Sequence, residues 1–341
     1  MKWTVVTEGP GSSRVFLDAQ PDRLEVLTPV YVPSFSSFGD PDFVRRALAV
    51  LRSVKDAVPA SAAGFLFSAY DLASSVRRGG ALDNQLEELL KSWPLWWLDN
   101  GAFEQTNFGT PGWGEDDFED VVKRFKPPVA VAFEYLAREA TLRSLAESIR
   151  LALQSARRVK NVAPCVVLLV RPHPASDLVP LLQSVDADVL FDGGDDFDVL
   201  GVPESSLGPT FDVRLSAIGA LRAALDKLAD PKALHIFGAS DPTCLTGYAL
   251  AGADIFDGLS WSRYWIDFES LSLRDKGLWS PVPGADGYSQ ENHDIHLAVH
   301  NVASMHEWMN SLRELVMRRR DASLAEKAIL NRLGVLSPGG I

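Results

Sequence analysis

GADIFDGLSWS, residues Gly252 to Ser262 with Arg263 directly after it, runs a small-residue turn into a two-residue apolar strand, Ile255-Phe256, that ends on a carboxylate, Asp257. A glycine, polar residues and an arginine follow at once. In a barrel of alternating strands and helices the carboxyl ends of the strands hold the catalytic side chains. A second stretch repeats the design: Leu95-Trp96-Trp97-Leu98 runs into Asp99, then Asn100-Gly101-Ala102-Phe103. Two strand-end aspartates, each backed by glycine, suit a two-carboxylate mechanism. Each Asp before Gly is equally readable as a plain turn.

Outward from these two stretches, short apolar runs alternate with longer amphipathic ones, the pattern of a parallel α/β fold. Strands are expected at Leu24–Val32, Gly64–Ser68, Leu95–Leu98, Val129–Phe133, Cys165–Val170, Val189–Phe191, Leu234–Phe237 and Ile255–Phe256. That count predicts a (β/α)₈ TIM barrel. Helical periodicity covers Pro41–Val58, Asp116–Phe125, Ala140–Lys160, Ala175–Val185, Asp212–Leu228 and Pro242–Ala251, with Ser240-Asp241-Pro242 as a start signal. After Asp257 the pattern changes. Residues 266–290 read as irregular, a long helix is expected from Gln290 to Arg320, and a shorter one from Ser323 to Leu333. The expected division is a barrel over 1–265 and a C-terminal helical extension over 266–341.

The chain has 341 residues, 46% hydrophobic and 23% charged, which describes a globular enzyme-like protein. A net charge of −12 argues against broad nucleic-acid coating, although a local basic groove is compatible with it. Two cysteines, Cys165 and Cys244, lie in apolar segments and read as buried thiols in a reducing cytoplasm. With no apolar run of about 18 residues, no membrane span is expected, and the protein reads as cytoplasmic.

Six motifs in order, spread over roughly residues 24–265, resemble the tRNA-guanine transglycosylase superfamily, enzymes that exchange a guanine base in nucleic acid for a 7-deazaguanine. They are Thr28-Pro29-Val30-Tyr31-Val32-Pro33, Phe65 to Leu72, Leu98-Asp99-Asn100-Gly101-Ala102-Phe103-Glu104, Leu200-Gly201-Val202-Pro203-Glu204, His235-Ile236-Phe237-Gly238, and Gly252 to Arg263. The resemblance implies a (β/α)₈ barrel. It implies Asp257 as the nucleophile of a covalent glycosyl intermediate and Asp99 as the general acid/base. Asn100 and Ala102 depart from the family's pattern beside Asp99, but Asn100 keeps a polar group able to donate and accept and is expected among the substrate-binding residues. The resemblance also places Glu134 and Arg171 on the edge of the base, where the family has an aspartate and a glutamine. It places Gly201 and Val202 in a loop giving backbone groups to the base, and Arg263 on phosphate.

The family's tRNA-acting bacterial members hold a structural zinc with three cysteines and a histidine; here no cysteine follows Cys244, so no zinc or other cofactor is expected. His293, His296 and His300 share a helical face and read as solvated or capping rather than as metal ligands. Losing that zinc module is similar to the branch that inserts 7-deazaguanines such as preQ0 into DNA. The expected partners are therefore DNA before tRNA, a 7-deazaguanine base and helper proteins that open a duplex. Three alternatives stay open: a tRNA-acting enzyme, a non-catalytic nucleic-acid-binding paralogue, and a hydrolase of small glycosides or nucleosides. The five tryptophans around the two aspartates (Trp93, Trp96, Trp97, Trp261, Trp265) read as packing before base stacking. Arg157-Arg158-Val159-Lys160 and Arg318–Arg320 read as phosphate contacts or, equally, as solvated helix faces. The acidic run Phe191 to Asp198 reads as a solvated loop.

Overall fold

The computed structural model describes residues 3–8, 14–18, 26–37, 42–58, 64–78, 80–104, 112–134, 142–172, 178–179, 196–228, 230, 232–268, 270–278 and 289–333. An antiparallel sheet comes first, made of β1 (Trp3–Glu8), β2 (Arg14–Asp18) and β3 (Val26–Leu27). Eight parallel strands then close into a barrel: β4 (Val30–Phe35), β5 (Phe65–Ser68), β6 (Trp96–Asp99), β7 (Val129–Val131), β8 (Cys165–Leu169), β9 (Val199–Pro203), β10 (Ala233–Phe237) and β11 (Ile255–Gly258). Closure is made by β11 pairing with β4, Ile255 opposite Val30 and Asp257 opposite Val32.

Alternation along each strand sorts the core into two layers. Val32, Leu66, Trp97, Val131, Val167, Val199 and Ile255 form one buried cluster. Their neighbours Phe65, Phe67, Trp96, Leu98, Val166 and Phe256 belong to a larger cluster shared with the helices. Those helices are α1 (Phe43–Ala57), α2 (Ala69–Arg78), α3 (Ala81–Ser92), α4 (Glu115–Phe125), α5 (Leu142–Lys160), α6 (Phe211–Leu225) and α7 (Pro242–Ala251). The start of α4 carries Glu115, Asp116 and Asp117 and its last turn Lys123 and Arg124, both signs matching the helix dipole. Asp241 caps α7, accepting from the Cys244 amide, with Pro242 in the first turn.

Past β11 a hairpin of β12 (Tyr264–Asp267) and β13 (Ser272–Asp275) leads to the long α8 (Gln290–Val316) and to α9 (Leu324–Arg332). α8 packs on α1, β4 and α7, so it closes the ring of helices over the seam between first and last strands. A boundary at residue 265 separates the barrel from its own closing helix. Arg313 on α8 ties that seam down, donating to the carbonyls of Leu27, Thr28 and Pro29 at 2.7–3.2 Å.

The barrel agrees with expectation, but several elements lie elsewhere. Leu24–Val32 is not one strand: β3 and β4 divide it, and β4 runs on to Phe35. The expected strand at Val189–Phe191 falls outside the described residues, and the barrel position is filled by Val199–Pro203, where the resemblance implied a loop. The helix expected over Ala175–Val185 lies mostly outside them as well. β12 and β13 pair antiparallel where irregular chain was expected from residue 266, Ile266 opposite Leu273 and Tyr264 opposite Asp275. The long helix stops at Val316, before the arginine triplet, and Arg318 turns left-handed at φ 58°.

Trp93, Trp96, Trp97 and Trp261 are buried, and Trp265 is half-buried with Arg274 5.2 Å over its ring, so these tryptophans pack. The basic run on α5 is ion-paired: Arg157 with Asp196, Arg158 with Glu115 and Glu119, and Lys160 with Asp198. Arg320 is bound to Glu326. Among the described residues no helix is long and apolar enough to cross a membrane. Cys165 is buried and Cys244 half-buried, both as free thiols.

Candidate active site

All eight strands converge on a cavity of about 390 Å³ at their carboxyl ends. Ser34 comes from β4, Ser68 from β5, Asp99 from β6, Leu169 from β8, Pro203 from β9, Phe237 from β10 and Asp257 from β11, with Glu134 and Arg171 just beyond β7 and β8. The barrel geometry thus brings Asp99 and Asp257 into one space, and it adds residues that the sequence does not mark.

Asp257 is 6% exposed and set in donors. Ser34 Oγ donates to Oδ2 at 2.6 Å, and the Gly238 amide donates to Oδ1 at 3.1 Å. His235 Nε2 also lies 3.1 Å from Oδ1. A carboxylate only accepts, so this contact assigns the imidazole proton to Nε2. His235 is fully buried and its Nδ1 has no partner among the described residues. The imidazole also stacks on Phe237, ring centres 3.8 Å apart. The next residue has to be glycine: a Cβ on Gly258 would lie 1.8 Å from Ser240 Oγ. Tyr31 OH donates to both Ser240 Oγ and the Gly258 carbonyl there.

Asp99 occupies the opposite environment. Among the described residues it receives one hydrogen bond, from the Gly101 amide at 3.1 Å. Burial pushes its acid up to about 8, the negative charge of Glu104 adds to this, and Asp257 and Glu134 push the same way. Gly101 takes φ 79°, and an added Cβ would meet Tyr70 at 2.8 Å, so the turn behind Asp99 requires glycine.

Glu104 is the main residue that sequence reasoning overlooked. It is 2% exposed, accepts from Ser36 Oγ at 2.9 Å and Ser68 Oγ at 2.8 Å, and lines the cavity. Its signal was its place five residues after Asp99, one helical turn past the glycine. Phe103, 42% exposed, also lines the cavity.

Other expected ligand residues sit differently. Asn100 lines the cavity, yet its amide is spent on backbone: Nδ2 donates to the Ala132 carbonyl and Oδ1 accepts from the Ala102 amide, both at 2.9 Å. It is a positioning residue, joining β6 to the end of β7. Glu134 and Arg171 hold each other in a two-pronged ion pair, Nε at 2.8 Å and Nη2 at 3.1 Å. Gly201 and Val202 are rungs of β9, the Gly201 carbonyl accepts from the Val170 amide, and neither lines the cavity. A glycine-rich loop closing on a base is therefore corrected to a barrel strand. Arg263 is exposed on the cavity rim.

Among the described residues no group of histidine, cysteine and acidic side chains could hold a metal ion. His293 and His300 are half-buried on α8 and His296 is exposed. The neighbouring Asn301 is fully buried, donating to the carbonyls of Trp261 and Tyr264 at 2.7 Å and accepting from the Ile266 amide. α8 thereby fixes the segment that follows Asp257.

No protein-family model matches the chain, and no curated protein matches it.

Proposed function

We propose that this chain is a transglycosylase that replaces guanine in nucleic acid, DNA in preference to tRNA, with a 7-deazaguanine base. The observation that carries the reading is the contrast between the two strand-end aspartates in one cavity. Asp257 faces donors and no acid within hydrogen-bond reach, as a nucleophile needs. Asp99 has an acid pushed up to about 8, so it holds a proton at neutral pH. Environments that separate two carboxylates in this way assign the acid and the nucleophile.

In the first step the Asp257 carboxylate attacks C1′ of the target nucleotide as the C1′–N9 bond breaks. The transition state is oxocarbenium-like, and the Asp257 charge stabilises it before the ester forms. Asp99 gives its proton to the departing guanine, which leaves as a neutral base. In the second step Asp99, now a carboxylate, takes the N9 proton of the incoming 7-deazaguanine. N9 bonds to C1′, the ester breaks, and the Asp257 carboxylate is restored. No net charge, proton or electron is gained or lost.

Glu134 and Arg171 enter this scheme as one ion pair at the cavity wall. A paired carboxylate keeps free lone pairs and a paired guanidinium keeps free N–H groups, so the pair can present an acceptor and a donor to a guanine-like edge. Phe103 supplies a stacking face. The resemblance in the six ordered motifs supports the same assignment of roles.

The test is a covalent trap. Protein is mixed separately with single-stranded DNA, double-stranded DNA and tRNA, with and without a 7-deazaguanine base, and run on denaturing gels. A slow band with one polymer, absent in Asp257→Ala, is expected, with DNA giving the band. A band with tRNA alone would replace the polymer. Turnover of free nucleosides with no polymer adduct would replace the reading by a nucleoside hydrolase.

A further inference from the structure

His235 is a polar side chain in apolar surroundings. It shares a face of β10 with Ala233 and Phe237, which pack in the cluster of Val167, Val199 and Ile255. Across the sheet it lies opposite Ile255 on β11 and Gly201 on β9. It is fully buried and does not line the cavity. Gly201 makes room for the stack of its imidazole on Phe237, since a Cβ there would lie 2.5 Å from Phe237 Cε2. Nδ1 has no hydrogen-bond partner among the described residues. A buried polar atom left unanswered is a cost that needs a reason. The hydrogen bond that the ring does make runs from Nε2 to Asp257 Oδ1 at 3.1 Å.

The two oxygens of Asp257 are held differently. Oδ1 faces two donors fixed by β10 and the residue after it, the His235 imidazole and the Gly238 amide. Oδ2 faces a hydroxyl, Ser34 Oγ at 2.6 Å, whose proton can rotate away and release the oxygen. When a carboxylate becomes a glycosyl ester, one oxygen bonds to C1′ and the other stays a carbonyl that still accepts hydrogen bonds. The donors that cannot turn away mark the carbonyl oxygen, and the rotatable one marks the attacker. Hydrogen bonds to a charged oxygen are about twice as strong as those to a neutral one. The donors on Oδ1 therefore favour the free carboxylate over the ester.

We infer that His235 is a positioning residue that acts through Asp257: it keeps Oδ1 as the carbonyl oxygen, leaves Oδ2 to attack C1′, and draws the covalent intermediate back to the free carboxylate; this rests on the base-exchange reading of the cavity. In the second step N9 of the entering base bonds to C1′ as the C1′–Oδ2 bond breaks. The electron pair of that bond returns to the carboxylate, and the charge that reaches Oδ1 meets the Nε2 and Gly238 N–H groups. No proton moves to or from His235. These donors set how readily Asp257 leaves C1′, so the enzyme does not stall as its own ester.

The test measures the adduct at equilibrium. Wild type, His235→Gln and His235→Phe are each incubated with a guanine-containing single-stranded DNA oligonucleotide and, separately, with tRNA, at graded concentrations of free guanine. The mixtures are denatured and run on gels. His235→Phe keeps an aromatic ring and loses the donor, and is expected to raise the ratio of adduct to free protein about tenfold at a given guanine concentration. His235→Gln keeps an N–H donor and is expected to return the ratio to the wild-type value. With preQ0 as the entering base, kcat for His235→Phe falls while kcat/KM for the polymer does not, because only ester breakdown is slowed. In wild type labelled with nitrogen-15 histidine, the His235 Nε2–H resonance is assigned by its absence from His235→Gln. It is expected to move upfield on adduct formation and to stay protected from solvent exchange.

An adduct ratio equal to wild type in His235→Phe would overturn the inference. So would kcat and kcat/KM falling together in both variants, the mark of a side chain that only packs. Loss of the protected Nε2–H signal in the adduct would make Oδ1 the attacking oxygen and overturn the assignment. Where His235→Phe fails to fold, His235→Leu and the wild-type spectrum carry the same comparison. No adduct from wild type with either polymer would remove the base-exchange reading and this inference with it. A wild-type adduct whose ratio the variants leave unmoved would remove the role of His235 alone.

Discussion

The strand β11 is bracketed by two aspartates, Asp254 just before it and Asp257 within its last turn of chain, and the two live in opposite worlds. Asp254 is fully buried and answered by a full positive charge: Arg222, 1% exposed, donates at 3.1 Å, and the Leu234 amide donates at 2.7 Å. Asp257 is met by neutral donors, opens into the cavity, and has no arginine or lysine within ion-pair distance among the described residues. The lower end of the barrel spends its carboxylate on stability and the upper end keeps its carboxylate available for chemistry. Two residues of strand, Ile255 and Phe256, separate the two uses.

The sharpest way to break this comparison is to exchange the effects of the two residues. Asp257→Ala is expected to lower base exchange by about 10⁴-fold or more while the melting temperature stays close to wild type. Loss of folding with that variant would make Asp257 a structural residue like Asp254. Arg222→Met leaves Asp254 buried without its cation and is expected to cost about 3–5 kcal/mol in denaturant unfolding, with exchange per folded molecule unchanged. An unfolding midpoint equal to wild type would show that the lower pair contributes nothing.

Asp99→Asn sharpens the contrast on the second carboxylate. Exchange should fall by about 10²–10⁴-fold. The wild-type profile of kcat/KM should decline as pH rises through about 8, where Asp99 loses its proton, and the variant should lack that decline. The linkage to stability has the opposite benefit. The folded state keeps this proton up to about 8 and the unfolded chain releases it near 3.8, so native stability falls with rising pH across that window. Asp99→Asn is therefore expected to melt higher than wild type at pH 8.5, with the difference vanishing below pH 4. The smallest effect is expected from Glu104→Gln. Removing a negative neighbour lowers the Asp99 acid, so the alkaline decline of kcat/KM should move to lower pH while KM stays near wild type. A decline that stays in place would show that the Glu104 charge does not help set the Asp99 acid.

The barrel and the strand-end position of both aspartates were legible because each rests on a local pattern: an apolar run, a carboxylate and a glycine one or two residues on. The strand Val199–Pro203 was not, because glycine and proline inside a buried strand carry the composition of a turn, and only the ladder to β8 and β10 overrides it. α2 and α3 were missed for a related reason: α2 starts directly after β5 without a loop, and only two residues of sequence, Gly79 and Gly80, separate Arg78 at the end of α2 from Ala81 at the start of α3. The surroundings of Asp257 were illegible in principle. Ser34 lies 223 residues away in the chain, and nothing near either residue announces the other. The mutual pairing of Glu134 and Arg171 was hidden in the same way, since each was read separately against a ligand.

Asn301 and Arg313 give α8 a role in time as well as in space. Until α8 has been synthesised, the seam between β4 and β11 lacks its cover and the chain after Asp257 lacks the amide that holds it. During synthesis the earlier strands can associate as soon as they emerge, but the cavity acquires its final shape only when α8, which follows all eight of them, docks. A ribosome-bound fragment ending before residue 290 would carry both aspartates and no finished site. The final surroundings of Asp257 are in this sense set by the docking of α8.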